Sequence, residues 1–384
     1  MWIPDQATKF HVKICSHRGF SAMRPWRQRN VINWVRRLDS SWQVRVVNAV
    51  EGSPFHYENF IAKEDVPDAV REGKMTGKFA GIHTSDHVRL PLLIRHGGVW
   101  MDIGLILLRD LDSICWDALS SPTNPHTLCS IIDERTLSLS FNINSFIASL
   151  PNNPFLIHWH AIFLVIWRNH TSSTGISSNP LLRHVPQFNM NPQFIALLGD
   201  SITGEELSDY AGQMISFSRL IGLRDPISGF DGNRYWRENC RMFPATEIYP
   251  FDVVQTSEQF SEERQAKLLA LERTVPVDHA NHDQAEAERL VEGTLATASF
   301  KKLSGGPFQN VSLSSLWDKS MDGMDDIREG TWAKYLRRGS VELEQTRDLS
   351  PLKDVEGRSG VKRKVWKVGL LEPIEPGKTE LIED

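Results

Sequence analysis

Five carboxylates and one arginine stand at spacings that suit chemistry. Asp325, Asp326 and Glu329 form a compact D-D-x-x-E group. On a helix, Asp325 and Glu329 share a face four residues apart, and Asp326 points about a quarter turn aside. Such carboxylates can take a proton from an attacking amine, orient a cationic substrate or bind a metal. A short acidic run also suits a solvated surface. Asp102 stands where the apolar run Val99 to Met101 gives way to the turn Asp102-Ile103-Gly104. Asp86 and Arg89, three residues apart, would share one helix face. For Asp102 the plain alternative is a turn-capping carboxylate; for Asp86 and Arg89 it is a helix-start cap and a structural ion pair.

Positioning these groups requires an α/β core. His11 to Ser16 and Trp42 to Asn48 read as strands, with the helix Trp26 to Leu38 between them and Pro25 near its start. A helix from Thr84 or Ser85 to Arg95 follows, with Pro91 inside it and Gly97-Gly98 as its exit. Val99 to Met101 and Leu105 to Leu108 are brief apolar strands. Ser130 to Asp133 and Ile143 to Leu150 are further strands, and Asn153 to Asn169 carries a helical apolar stripe. This alternation predicts a mostly parallel sheet covered on both faces. Asp102 then falls at a strand end, where open α/β sheets gather ligands.

Residues 1–250 are assigned to the core. Residues 251–300, rich in Ala, Glu and Gln, form a helical insertion or lid, and 301–384 complete the core and its site after Gly305-Gly306. Thr331 to Arg338 reads as a late helix.

The 384 residues are 40% hydrophobic, with twelve Trp and eighteen Phe, which excludes disorder along the whole length. The four cysteines form no close pair of the zinc or redox kind and read as free thiols. Neither a signal peptide nor a membrane span is legible, so a cytoplasmic protein without membrane contact is expected. The net charge of −5 argues against nucleic-acid binding by the average surface. Arg24, Arg27, Arg29, Arg36 and Arg37 nevertheless crowd one stretch, and Lys334, Arg337 and Arg338 stand beside Trp332 and Tyr335.

The stretch Ser85-Asp86-x-x-Arg89 through Gly97-Gly98-Val99-Trp100-Met101-Asp102 resembles the sugar-transfer and capsular-polysaccharide-synthesis families of DxD glycosyltransferases. Pro25-Trp26, Asn30-Val31-Ile32-Asn33-Trp34 and Pro180-Leu181-Leu182-Arg183-His184 extend the likeness to fungal members. The resemblance implies a GT-A glycosyltransferase-like fold. It breaks at the metal motif, where Gly104 replaces the second Asp.

A D-D-x-x-E group on such a chain resembles the fungal arginine-containing cyclodipeptide synthases. That likeness implies transfer between arginyl-tRNA and a second aminoacyl-tRNA to give a cyclic dipeptide, beside tailoring enzymes of a biosynthetic pathway. It assigns Asp325, Asp326 and Glu329 to catalysis; Asp102 is expected to act with them, and Asp86, Arg89, Trp100 and Trp332 are expected to meet substrate. It requires no cofactor or metal. The basic clusters would meet tRNA phosphates. The alternative is sugar transfer from a nucleotide donor, with a divalent metal possible.

Overall fold

The computed structural model describes residues 10–15, 18–133, 141–185, 202–251, 261–303, 312–351, 365–375 and 380–382. The expected Gly305-Gly306 break lies outside them, as does the start of the helix expected from Glu258. The main sheet has the order β2-β1-β3-β6-β5-β8, formed by β1 (Phe10–Cys15), β2 (Trp42–Val47), β3 (Gly98–Met101), β5 (Leu128–Asp133), β6 (Phe141–Ser149) and β8 (Cys240–Pro244). β1 runs parallel to β2 and β3, and β5 runs parallel to β8. β6 lies antiparallel between β3 and β5. The result is a mixed α/β sheet flanked by helices, consistent with a GT-A-like glycosyltransferase fold.

Alternation along the strands explains the two covered faces. Trp100, Leu128 and Ile147 face one apolar layer, shared with α2 (Ala80–His96), α3 (Pro154–Ile166) and α5 (Gly212–Ile221). Their neighbours Val99, Met101, Cys129, Phe146 and Ala148 face the other, shared with Val31 and Trp34 of α1 (Pro25–Arg37). The preceding helix is α4 (Gly204–Tyr210); the short strand β7 (Leu223–Arg224) follows α5, and α6 (Gly232–Asn239) leads into β8. The short strand β4 (Leu105–Leu107) leaves the main sheet and pairs with β9 (Phe300–Lys302). A third apolar cluster joins Trp26, Ile106 and Leu108 to α7 (Glu262–Ala270), α8 (His282–Thr297), α9 (Leu313–Asp318) and α10 (Trp332–Glu342). No helix among the described residues is long and apolar enough to cross a membrane. Cys115, Cys129 and Cys240 are buried free thiols.

One boundary differs from the sequence expectation in a way that matters. α2 begins at Ala80, not at Thr84 or Ser85. Asp86 and Arg89 therefore sit in the buried interior of a helix and cap nothing. Gly97 ends α2 at φ 58°, ψ −158°, and a Cβ there would lie 2.7 Å from Cδ of Pro151. Gly97→Ala is expected to destabilise by about 1–3 kcal/mol, since an L-residue is strained in that conformation and contact is already close. Urea denaturation of the purified variant checks this; a wild-type midpoint would refute it.

Candidate active site at the turn after the third strand

Asp102 follows β3 at the carboxyl edge of the sheet, and its N–H donates to the Ser145 carbonyl of β6 at 2.8 Å. Its carboxylate is held on one side only. Oδ1 accepts from Arg89 Nη2 at 3.0 Å and from Trp100 Nε1 at 2.9 Å. The side chain is 37% exposed, and no described residue bonds Oδ2. A carboxylate steered in this way presents an acceptor-only oxygen outward in a set direction.

Behind it lies a buried polar cluster. Arg89 Nη1 meets Asp86 Oδ1 at 3.0 Å and donates to Gln213 Oε1 at 2.7 Å. Gln213 Nε2 donates to the Asp86 carbonyl, and Asn144 Nδ2 donates to Gln213 Oε1. Asp86 Oδ2 lies 3.3 Å from His83 Nδ1. The guanidinium of Arg89 also lies 4.9 Å from the Trp100 ring centroid, a favourable cation–π position. Burial pushes the Tyr210 phenol well up, and the charges of Asp86 and Asp102 add to this. Burial likewise holds His87 well below the ordinary histidine value and His160 at about 4. Arg89 supplies the positive charge in contact with Asp102.

Asp102, Asp86, Arg89 and Trp100 thus come together as one unit. Gln213, Asn144, Ser145 and Tyr210 were not anticipated. They lie in stretches whose pattern carries no chemical signal, and only the packing of α4, α5 and β6 against β3 recruits them.

The D-D-x-x-E group is arranged differently from the expectation. It lies in a turn ahead of α10, whose N-cap is Thr331, so its members share no helix face. Asp326 is 1% exposed and paired with Arg29 and Arg337. Asp325 is half-buried and bonds Ser320 and Arg328. Glu329 is 87% exposed and paired with Lys334, whose hydrogen bond lowers its pKa. Trp332 is enclosed in the helical cluster, with Nε1 donating to Gln284, and cannot touch a substrate there. Glu329→Ala is therefore expected to leave turnover within about twofold and the melting temperature unchanged, as for exposed surface pairs. A steady-state assay with a thermal melt checks both.

Most cations of the basic clusters are also paired. Arg24 and Arg27 meet Asp318, Arg29 meets Asp326 and Arg37 meets Asp110. Lys334, Arg337 and Arg338 meet Glu329, Asp326 and Glu342. Cations neutralised internally are poor phosphate ligands for tRNA.

Nor do the described residues form a paired-carboxylate metal cradle at the turn. Gly104 occupies the second position, Asp86 is committed to Arg89, and half of Asp102 is taken. Among the described residues the close set of metal-type ligands is His282, Asp283 and Glu286 on α8. Arg264 already pairs with Asp283 and Glu286.

The capsular polysaccharide synthesis protein family matches residues 52–176, which span α2, β3 and Asp102. Glycosyltransferase afumC of Aspergillus fumigatus is 38% identical over 88% of this chain and 85% of its own length. O-glycosyltransferase braB of Annulohypoxylon truncatum is 34% identical over 93% of this chain and 84% of its own. O-glycosyltransferase PaGT of Phomopsis amygdali is 31% identical, over 88% and 82%. These relatives overturn the expectation of a tRNA-dependent cyclodipeptide synthase, and with it the arginyl-tRNA and second aminoacyl-tRNA as partners. Likeness at this level over most of the chain outweighs a five-residue acidic match, whose members are dispersed into ion pairs. The chain belongs to the family of fungal glycosyltransferases that these proteins represent.

Proposed function

We propose that the protein transfers a sugar from a nucleotide-sugar donor to a hydroxyl group of a small acceptor. The carrying observation is Asp102, fixed at the carboxyl end of β3 with one oxygen bound and the other turned out. Family membership and the two relatives named O-glycosyltransferases support the reaction class.

In this reaction the acceptor oxygen bonds the anomeric carbon of the sugar. The bond from that carbon to the phosphate oxygen breaks, and the nucleoside diphosphate leaves with the electron pair. The hydroxyl proton passes to a base or to water. The chain's contribution is placement and electrostatics. An acceptor-only oxygen repels a bare diphosphate, so Asp102 is assigned to a hydroxyl of the donor's ribose or sugar, which can donate to it. Arg89 and Trp100 keep that oxygen aimed. A divalent cation held by two protein carboxylates does not fit the described residues at this turn.

The test supplies purified protein with UDP- and GDP-sugars and a panel of phenolic and aliphatic alcohols, reading nucleoside diphosphate release and the mass of glycosylated product. Product carrying a sugar from one donor is the expected result. If every nucleotide sugar is returned intact, with no binding by calorimetry, the reading is wrong.

A further inference from the structure

The backbone that follows Asp102 is gripped from three directions. Ile103 O accepts from Asn30 Nδ2 at 2.6 Å, Gly104 O from the N–H of Leu303 at 2.7 Å, and Leu105 O from Trp34 Nε1 at 3.1 Å. The N–H of Leu105 closes the turn onto the Asp102 carbonyl at 3.1 Å. Two of these donors are side chains of α1, four residues apart on its buried face.

An amide such as Asn30 has two edges of opposite character, and something must decide which faces Ile103. Arg337 decides it. Its Nη1 donates to Asn30 Oδ1, and a guanidinium can only donate, so the amide nitrogen is left facing the Ile103 carbonyl. Arg337 is held in turn by Asp326, with Nη2 at 2.8 Å from Oδ2. Arg29 Nε donates to the same oxygen at 3.0 Å, and a second Arg29 nitrogen meets Oδ1. Asn30, Arg337 and Asp326 are all buried. An unbroken chain of partners therefore runs from Asp326 to the residue next to Asp102, and its link between Arg337 and Asn30 joins positions 307 apart in sequence.

We propose that Asp326 and Arg337 are positioning residues, which fix the aim of the Asp102 carboxylate through Asn30 and the Ile103 carbonyl. Neither touches substrate. The buried member of the D-D-x-x-E group thus serves the site from behind. This rests on the glycosyltransferase reading for its kinetic consequence, although not for its structural one.

Two variants test it: Asp326→Asn, which removes the charge that anchors Arg337, and Asn30→Asp. The second keeps an acceptor for Arg337 but turns an acceptor toward Ile103 O, so it breaks only the last link and spares the rest. Each is expected to lower kcat by about tenfold or more, because small misplacements at a reacting centre are amplified in rate. The discriminating measurement repeats each change on an Asp102→Asn background. A residue acting through Asp102 loses its rate effect there, whereas one that merely stabilises the fold multiplies the defect unchanged.

Hydrogen–deuterium exchange of the peptide covering residues 98–107 gives a readout independent of activity. Faster exchange in both variants, with slow exchange retained in β5, is the expected result. Unchanged exchange at 98–107, or full multiplicative rate losses on the Asp102→Asn background, overturns the proposal. If the wild type transfers no sugar while exchange responds as expected, the positioning claim stands and the glycosyltransferase reading falls. Should Asp326→Asn fail to fold, Asn30→Asp alone decides.

Discussion

Asp102→Asn is expected to lower sugar transfer by about 10²- to 10³-fold, the scale seen when one preorganised electrostatic group is removed from a reacting centre. Its melting temperature is expected to stay within a few degrees of wild type. The two expectations separate because of how the side chain is bound. Arg89 Nη2 and Trp100 Nε1 both donate to Oδ1. An asparagine oxygen can accept both bonds in the same place, and Asp86 remains to balance Arg89. The other edge then changes from acceptor to donor, the one change a donor hydroxyl would feel. Rates under saturating donor, with a thermal melt on the same preparation, check both halves. Wild-type kcat in the folded variant would remove Asp102 from the reaction.

Arg89→Met is expected to be the most destabilising single change at the site, costing about 3–5 kcal/mol as for other broken buried ion pairs. Arg89 is 2% exposed. It is the shared cation of Asp86, which is also buried, and of Asp102, and it donates to Gln213. Methionine fills similar volume without donors, so among the described residues Asp86 keeps His83 as its other side-chain partner, and the Gln213 oxygen loses a donor. The penalty comes from stranded polar groups rather than from lost packing. Asp86→Asn combined with Arg89→Met is therefore expected to recover at least about 1 kcal/mol, a coupling of the size found between contacting residues. Urea denaturation of wild type, both single variants and the double variant completes the cycle. Additive losses would show that the pair is not the source of the effect. Activity should also fall in Arg89→Met even where the protein remains folded, since among the described residues Trp100 is then the one side chain left bonding the Asp102 carboxylate.

Much of the frame around Asp102 was legible from residue order. Apolar periodicity over Trp26 to Leu38 and over Trp42 to Asn48, the exit at Gly97-Gly98 and the apolar run to Met101 are local signals. They led to α1, β2, α2 and β3 within a few residues, and they placed Asp102 at a strand end. The start of α2 was misplaced because Ser85 and Asp86 are good caps in isolation. Burial against α3 and α5 extends the helix past them, and tertiary packing outweighs capping preference.

The D-D-x-x-E group misled for a related reason. Residue type and spacing say that three carboxylates are near one another along the chain, but not what each faces. Asp326 turns inward to two arginines, Asp325 lies half-buried at the surface, and Glu329 turns to water. The same holds for Arg24, Arg27, Arg29 and Arg37, which are paired by carboxylates distant in sequence, among them Asp318 and Asp326.

By itself the sequence determined the alternation of helix and strand, the glycine exit that only a glycine can take, and a carboxylate at the mouth of the sheet. These follow from interactions within a few residues. Which charges meet, which are buried, and which oxygen of Asp102 is left facing outward were decided only by tertiary structure. Ion pairs and hydrogen bonds act over a few ångströms of space, and here their partners lie up to 311 residues apart along the chain.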